Sequence, residues 1–175
     1  MDINQSHFAL FGLPETFALD QKALDGAFRR VQGEVHPDRF AAEGAAEQRV
    51  ALQWATRANE GYQTLKDPLS RARYLCETHG VDLAVESNTH MPAEFLMAQL
   101  NWREALEDAE RDGDSAALEE LSRDLADAYR RELADVENLI DGNQDFKGAA
   151  DAVRRLMFLA KTREDVGAAL DALTA

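Results

Sequence analysis

The sequence predicts an all-α protein built in two parts. Apolar residues recur at helical spacing along most of the 175 residues. Gly, Pro, Asp and Asn cluster between those runs, and no segment alternates with the period of two that a strand requires.

Taken in order, His7-Phe8-Ala9-Leu10-Phe11-Gly12-Leu13-Pro14 has room for a short helix ended by Gly12 and Pro14. Asp20 reads as an N-cap, and Leu24, Phe28, Val31 and Val35 then fall on one helical face. Pro37 lacks an amide donor and pushes His36 out of the helical region, so that helix stops at His36-Pro37-Asp38. A long helix runs from about Ala41 to Leu65, with Val50, Trp54, Ala58, Tyr62 and Leu65 as its apolar positions. Lys66-Asp67-Pro68 breaks it, with Pro68 well placed at the first turn of the next, and a further short helix covers Arg71 to His79, closed by Gly80. Residues 81–92 lack periodicity. Three helical runs follow near 93–111, 115–140 and 145–173, separated by Asp112-Gly113-Asp114 and Asp141-Gly142-Asn143. Short connections between long helices imply antiparallel neighbours in a three-helix bundle. The expected organisation is a helical-hairpin domain over 1–78, a linker over 79–92 and the bundle over 93–175.

Composition narrows the function. A net charge of −14 argues against nucleic-acid and anionic-membrane partners, which call for clustered Lys and Arg. The acidity is uneven: residues 1–80 hold nine Lys/Arg against eleven Asp/Glu, and residues 81–175 hold ten against twenty-two. That asymmetry suggests two parts with different partners. A single cysteine, Cys76, excludes an internal disulfide framework and suits a reducing compartment. No apolar run approaches the ~20 residues of a membrane span, and the N-terminus shows no signal-peptide pattern. The expected location is the cytoplasm.

Two of the C-terminal helices carry more apolar surface than one buried stripe requires. Phe95, Ala98, Trp102, Ala105, Leu106 and Ala109 form the core face of the 93–111 helix. Leu96, Met97 and Leu100 point roughly the other way, and Asn101, Glu104 and Asp108 extend that second face. In the last helix Phe146, Ala149, Val153, Leu156, Met157 and Ala160 form the core stripe, while Phe158 lies about 140° from Val153, beside Arg154 and Arg155. The extra residues either bind a partner or pack on the N-terminal domain.

Catalytic readings find little support. His36 and Asp38 could act as an acid/base pair, yet no nucleophile or oxyanion loop accompanies them. Cys76 and His79 could share a metal, but a structural zinc site wants four ligands and there is no second cysteine. His7 and His90 read as ordinary surface or helix-end residues. No phosphate loop, dinucleotide fingerprint or metalloprotease helix is present, so no enzyme activity, metal or cofactor is expected.

A short aromatic helix, a helix bearing Phe28-Arg29-Arg30, the His36-Pro37-Asp38 loop and a long third helix resemble a J domain. The stretch from Asn59 to Leu75 looks like the end of the J domain of the HscB-type co-chaperones of iron–sulfur cluster assembly. Phe95-Leu96-Met97-Ala98-Gln99-Leu100 with Arg103-Glu104, and Val153 to Leu159, look like that family's C-terminal helices. The resemblance thus covers nearly the whole chain. It implies an L-shaped, non-catalytic adaptor that stimulates the ATPase of a DnaK-class (HscA-type) chaperone and brings it the iron–sulfur scaffold protein (IscU-type). His36, Pro37, Asp38, Arg29, Arg30 and Arg39 would contact the chaperone. Leu96, Met97, Leu100, Glu104, Asp108 and Phe158 would contact the scaffold, which turns the two-faced helices toward the partner reading. A general J-type co-chaperone for unfolded clients is the alternative. Glu34 stands where many J domains are basic, Asn101 replaces an expected acid, and the cysteine-rich zinc module of some relatives is missing.

Overall fold

The structure, a computed structural model, describes residues 5–40, 44–83 and 91–174. The chain divides into two compact units, Met1–Leu75 and Cys76–Ala175, each taken by itself below.

In the first unit α1 (His7–Phe11) is opened by Ser6, whose hydroxyl accepts from the Ala9 N–H at 3.1 Å. It is closed by Gly12 in the left-handed region at φ 65°, where a side chain would be strained. The predicted Asp20 cap holds: its carboxylate accepts from the Lys22 N–H at 2.8 Å and starts α2 (Gln21–Val35). Leu24, Val31 and Val35 are buried along the expected stripe. Phe28, at the same face, stacks on Tyr62 with ring centroids 4.2 Å apart and meets Phe11 edge-on.

Past the extended His36 a 3-10 turn, Pro37–Phe40, leads toward α3 (Ala45–Lys66). The part of the expected long helix at residues 41–43 lies outside the described residues. Val50 does not belong to the buried stripe: it is 51% exposed, and Ala51, Ala58, Gly61 and Leu65 are buried instead. At about 100° per residue Val50 lies ~80° round from Ala58, at the margin of the face turned to α2. α4 (Pro68–Thr78) begins at Pro68, the residue read as belonging to its first turn, and Asp67 caps it by accepting from the Ser70 N–H at 2.7 Å. Arg71 is buried within α4. Its guanidinium donates to the Leu65 carbonyl and lies 5.1 Å from the Phe17 ring centroid.

The second unit contains the end of α4 (Pro68–Thr78), α5 (Ala93–Asp112), α6 (Ser115–Glu137) and α7 (Phe146–Thr174). Leu121, Leu125, Ala128, Leu159 and Val166 form a core from α6 and α7, and Phe95, Trp102 and Leu106 of α5 pack against it half-buried. α5 is the least embedded of the three: Ala109 is its buried residue, and Ala105, expected in the core stripe, is exposed. The run expected to end as a plain helix near 140 finishes in a π turn, Asn138–Gly142, that buries Ile140. Within the segment read as a linker, Leu83 is buried and its carbonyl accepts from Arg154 at 3.0 Å, while residues 84–90 lie outside the described residues.

Candidate functional site: a docking loop and a bundle groove

At the tip of the hairpin Val35, buried, fixes the end of α2, and the extended backbone of His36 turns the chain out of the helix. The His36 side chain is exposed. The Arg39 N–H donates to the His36 carbonyl at 3.0 Å, and the Arg39 guanidinium reaches back to the Gly33 carbonyl at 2.7 Å. The backbone bond closes the loop on itself, and the guanidinium ties it to the last turn of α2. The side chains of Pro37 and Asp38 lie outside the described residues.

The three arginines expected to face a chaperone are placed differently from one another. Arg29 is exposed on α2. Arg30 donates to the Phe11 carbonyl at 2.9 Å, satisfying a terminal acceptor of α1, so part of its charge serves the fold. Arg39 closes the loop.

In the second unit α5 and α7 enclose a groove of about 490 Å³. Leu96, Leu100, Leu106 and Phe158 give it an apolar floor, and Arg103, Lys161 and Asp165 stand among its walls. The structure therefore brings Leu96, Leu100 and Phe158 together from two helices. Met97 is 58% exposed on α5 but does not line the groove. Glu104 and Asp108 are exposed on the same helix, and Asp108 accepts an ion pair from Arg111 at 2.8 Å.

Phe158 is less separate from the core than its wheel position suggests, because its ring meets Phe95 edge-on at 5.9 Å. Nor does it stand beside two free arginines. Arg154 is buried and donates to the Leu83 carbonyl and the Asp151 carboxylate, and Arg155 pairs with the largely buried Glu132 at 2.9 Å. Sequence reasoning found Phe158 but missed the rest of the α7 wall, Lys161, Thr162 and Asp165. Its signal was present: Phe158, Lys161, Thr162 and Asp165 fall at i, i+3, i+4 and i+7.

The weaker chemical candidates take structural places. Cys76 is buried with its sulfur 3.7 Å from the Phe146 carbonyl, and burial pushes its thiol up to about 11. A thiol so protonated is a poor nucleophile and a poor ligand. His79 stacks flat on Phe146 at 3.6 Å. No group of three His, Cys, Asp or Glu that could hold a metal occurs among the described residues. His7, read from the sequence as an ordinary surface or helix-end residue, is the first residue of α1 and half-buried against Tyr74, and His90 lies outside the described residues.

An all-helical chain with a J-type hairpin in one unit and a grooved helical bundle in the other has the make-up of a J-type co-chaperone. The family model described as the HSCB C-terminal oligomerisation domain matches residues 91–167. A protein of Burkholderia thailandensis named Co-chaperone protein HscB homolog is 51% identical over 173 residues, covering 99% of this chain and 98% of its own. The like-named protein of Paraburkholderia phymatum is 49% identical over 171 residues, with 98% and 97% covered. Among solved structures, chaperone HscB from Vibrio cholerae superposes with a TM-score of 0.83 at 36% identity, covering 97% of this chain and 99% of that one. The human co-chaperone HscB shares the fold at a TM-score of 0.89 and 24% identity, with 96% and 83% covered. The chain belongs to the HscB co-chaperone family.

Proposed function

We propose that this chain acts in iron–sulfur cluster biogenesis by stimulating the ATPase of a DnaK-class, HscA-type chaperone and presenting to it an IscU-type scaffold protein. It works by binding and allosteric stimulation in the cytoplasm and carries no catalytic centre of its own; ATP is hydrolysed on the partner. The J domain of residues 1–78 engages the chaperone through His36, Pro37 and Asp38, with Arg29 and the outer faces of Arg30 and Arg39 adding attraction to an acidic surface. The bundle of residues 93–175 holds the scaffold at Leu96, Met97, Leu100 and Phe158, with Glu104 and Asp108 at the margin. Membership of the HscB family supports this reading, as does the absence, among the described residues, of a helix long and apolar enough to cross a membrane.

The observation that carries the scaffold half is the α5–α7 groove, which unites three of the expected contact residues over an apolar floor. Leu96 and Met97 are 43% and 58% exposed, so their truncation removes little from the bundle itself. Leu96→Ala with Met97→Ala should weaken scaffold binding about thirtyfold or more by calorimetry, the loss of roughly 2 kcal/mol of apolar burial. The thermal melt should stay in place. Unaltered affinity would remove this surface from the scaffold contact.

A further inference from the structure

The loop end of the hairpin carries an apolar cup that the core of the first unit leaves unfilled. α1 seals the opposite end, where Phe11 meets Phe28 and His7 closes on Gly61. Toward the loop, Val35, Phe40, Val50, Ala51 and Trp54 surround a hollow of about 250 Å³ in which Glu47 is the one charged lining residue among the described residues. Val35 and Ala51 are buried, Phe40 and Trp54 are half-buried, and Val50 is 51% exposed at the lip. A lone exposed valine needs no explanation. A valine at the lip of a hollow walled by an aromatic residue and an indole is different, because a partner side chain placed there would be desolvated on several sides at once.

The position of the cup says what fills it. Val35 is the last residue of α2 and Phe40 the last of the 3-10 turn, so both ends of the docking loop are also walls of the cup. A protein seated on the loop therefore reaches the rim of the hollow. Arg39 and Arg49 are exposed on the flanking elements beside the exposed Glu34 and Glu47, so the rim presents both signs of charge and the apolar wall is what selects the occupant.

We propose that the cup receives one large apolar side chain from the chaperone surface that meets the His36–Phe40 loop, giving a polar docking loop an apolar anchor. The proposal rests on the reading of that loop as the chaperone contact. Contacts of this kind, an aliphatic or aromatic anchor in a pocket beside charged pairs, supply much of the energy of protein interfaces.

The test titrates full-length chain into the chaperone and follows its ATPase, comparing wild type with Val50→Lys, Val50→Ser and Asp38→Ala. Both Val50 variants should raise the half-maximal concentration, Val50→Lys by about tenfold, while the maximal rate, the melt and scaffold binding are retained. Should Val50→Lys fold poorly, Val50→Ser decides. Titrations unchanged within about twofold, with Asp38→Ala inactive, would overturn the cup as an anchor and leave the loop reading standing. Full stimulation by Asp38→Ala would overturn both. A Val50 variant that titrates normally but abolishes a dimer seen in sedimentation would assign the cup to a second copy, also against the proposal.

Discussion

At His7 burial and a neighbouring charge act in the same direction. The ring stacks on Tyr74 at 4.5 Å, its backbone N–H donates to the Tyr74 hydroxyl, and its Nδ1 is buried without a hydrogen-bond partner. Desolvation first and the Arg57 charge second hold its pKa below the ordinary 6.5, with Glu60 opposing. The sign follows from linkage. Well above pH 6.5 the imidazole is neutral in both folded and unfolded chains; as pH falls through that value the unfolded chain takes up a proton that the folded ring resists. Stability of the first unit should therefore fall as pH drops from about 7.5 to 5.5, and His7→Gln should flatten that slope in thermal melts at a series of pH values. An equal slope in both proteins would contradict the assignment. Nothing in the sequence around His7 marked it for burial, because the groups that enclose it, Tyr74 and Gly61, stand more than fifty residues away.

Gly61 shows how an element is fitted to its neighbour. It lies in the interior of α3, where glycine costs about 1 kcal/mol relative to alanine. A Cβ there would meet His7 Nδ1 at 2.9 Å, His7 Cγ at 3.2 Å and Phe11 Cε2 at 3.3 Å. The His7 ring is held by Tyr74 and cannot step aside cheaply. Gly61→Ala should thus destabilise the first unit by roughly 1 kcal/mol net, overpacking exceeding the gain in propensity, and the loss should shrink in the background of His7→Ala. Chemical denaturation of the four proteins measures that coupling; a stabilised Gly61→Ala single variant would contradict it. Elements of this kind were legible where one stripe met one partner: Leu24, Val31 and Val35 announced α2, and Asp20 its start. Legibility failed where a face has no partner along its whole length, as at Val50, and where α5 packs only partly, as at Ala105. It failed also for Arg154, whose burial depends on the carbonyl of Leu83, seventy-one residues away.

Across the whole molecule the two proposed contact surfaces fall in two separately compact units, the loop in the first and the groove in the second. The uneven charge fits that division, since the acidic excess belongs to the half that bears the groove. The polar triplet could be read in the sequence because Pro37 dictates a helix stop whatever the fold around it. The groove was only half readable: Leu96, Leu100 and Phe158 stood out as surplus apolar residues, but their meeting required knowing that α5 and α7 are neighbours. Damage to one surface should leave the other intact. The most direct measurement is therefore the ATPase rate of the DnaK-class chaperone with wild-type chain and with Asp38→Ala, alongside scaffold affinity by calorimetry. Asp38→Ala should abolish the stimulated rate with scaffold affinity unchanged. A stimulated rate equal to that of wild type would contradict the docking role of the His36–Phe40 loop.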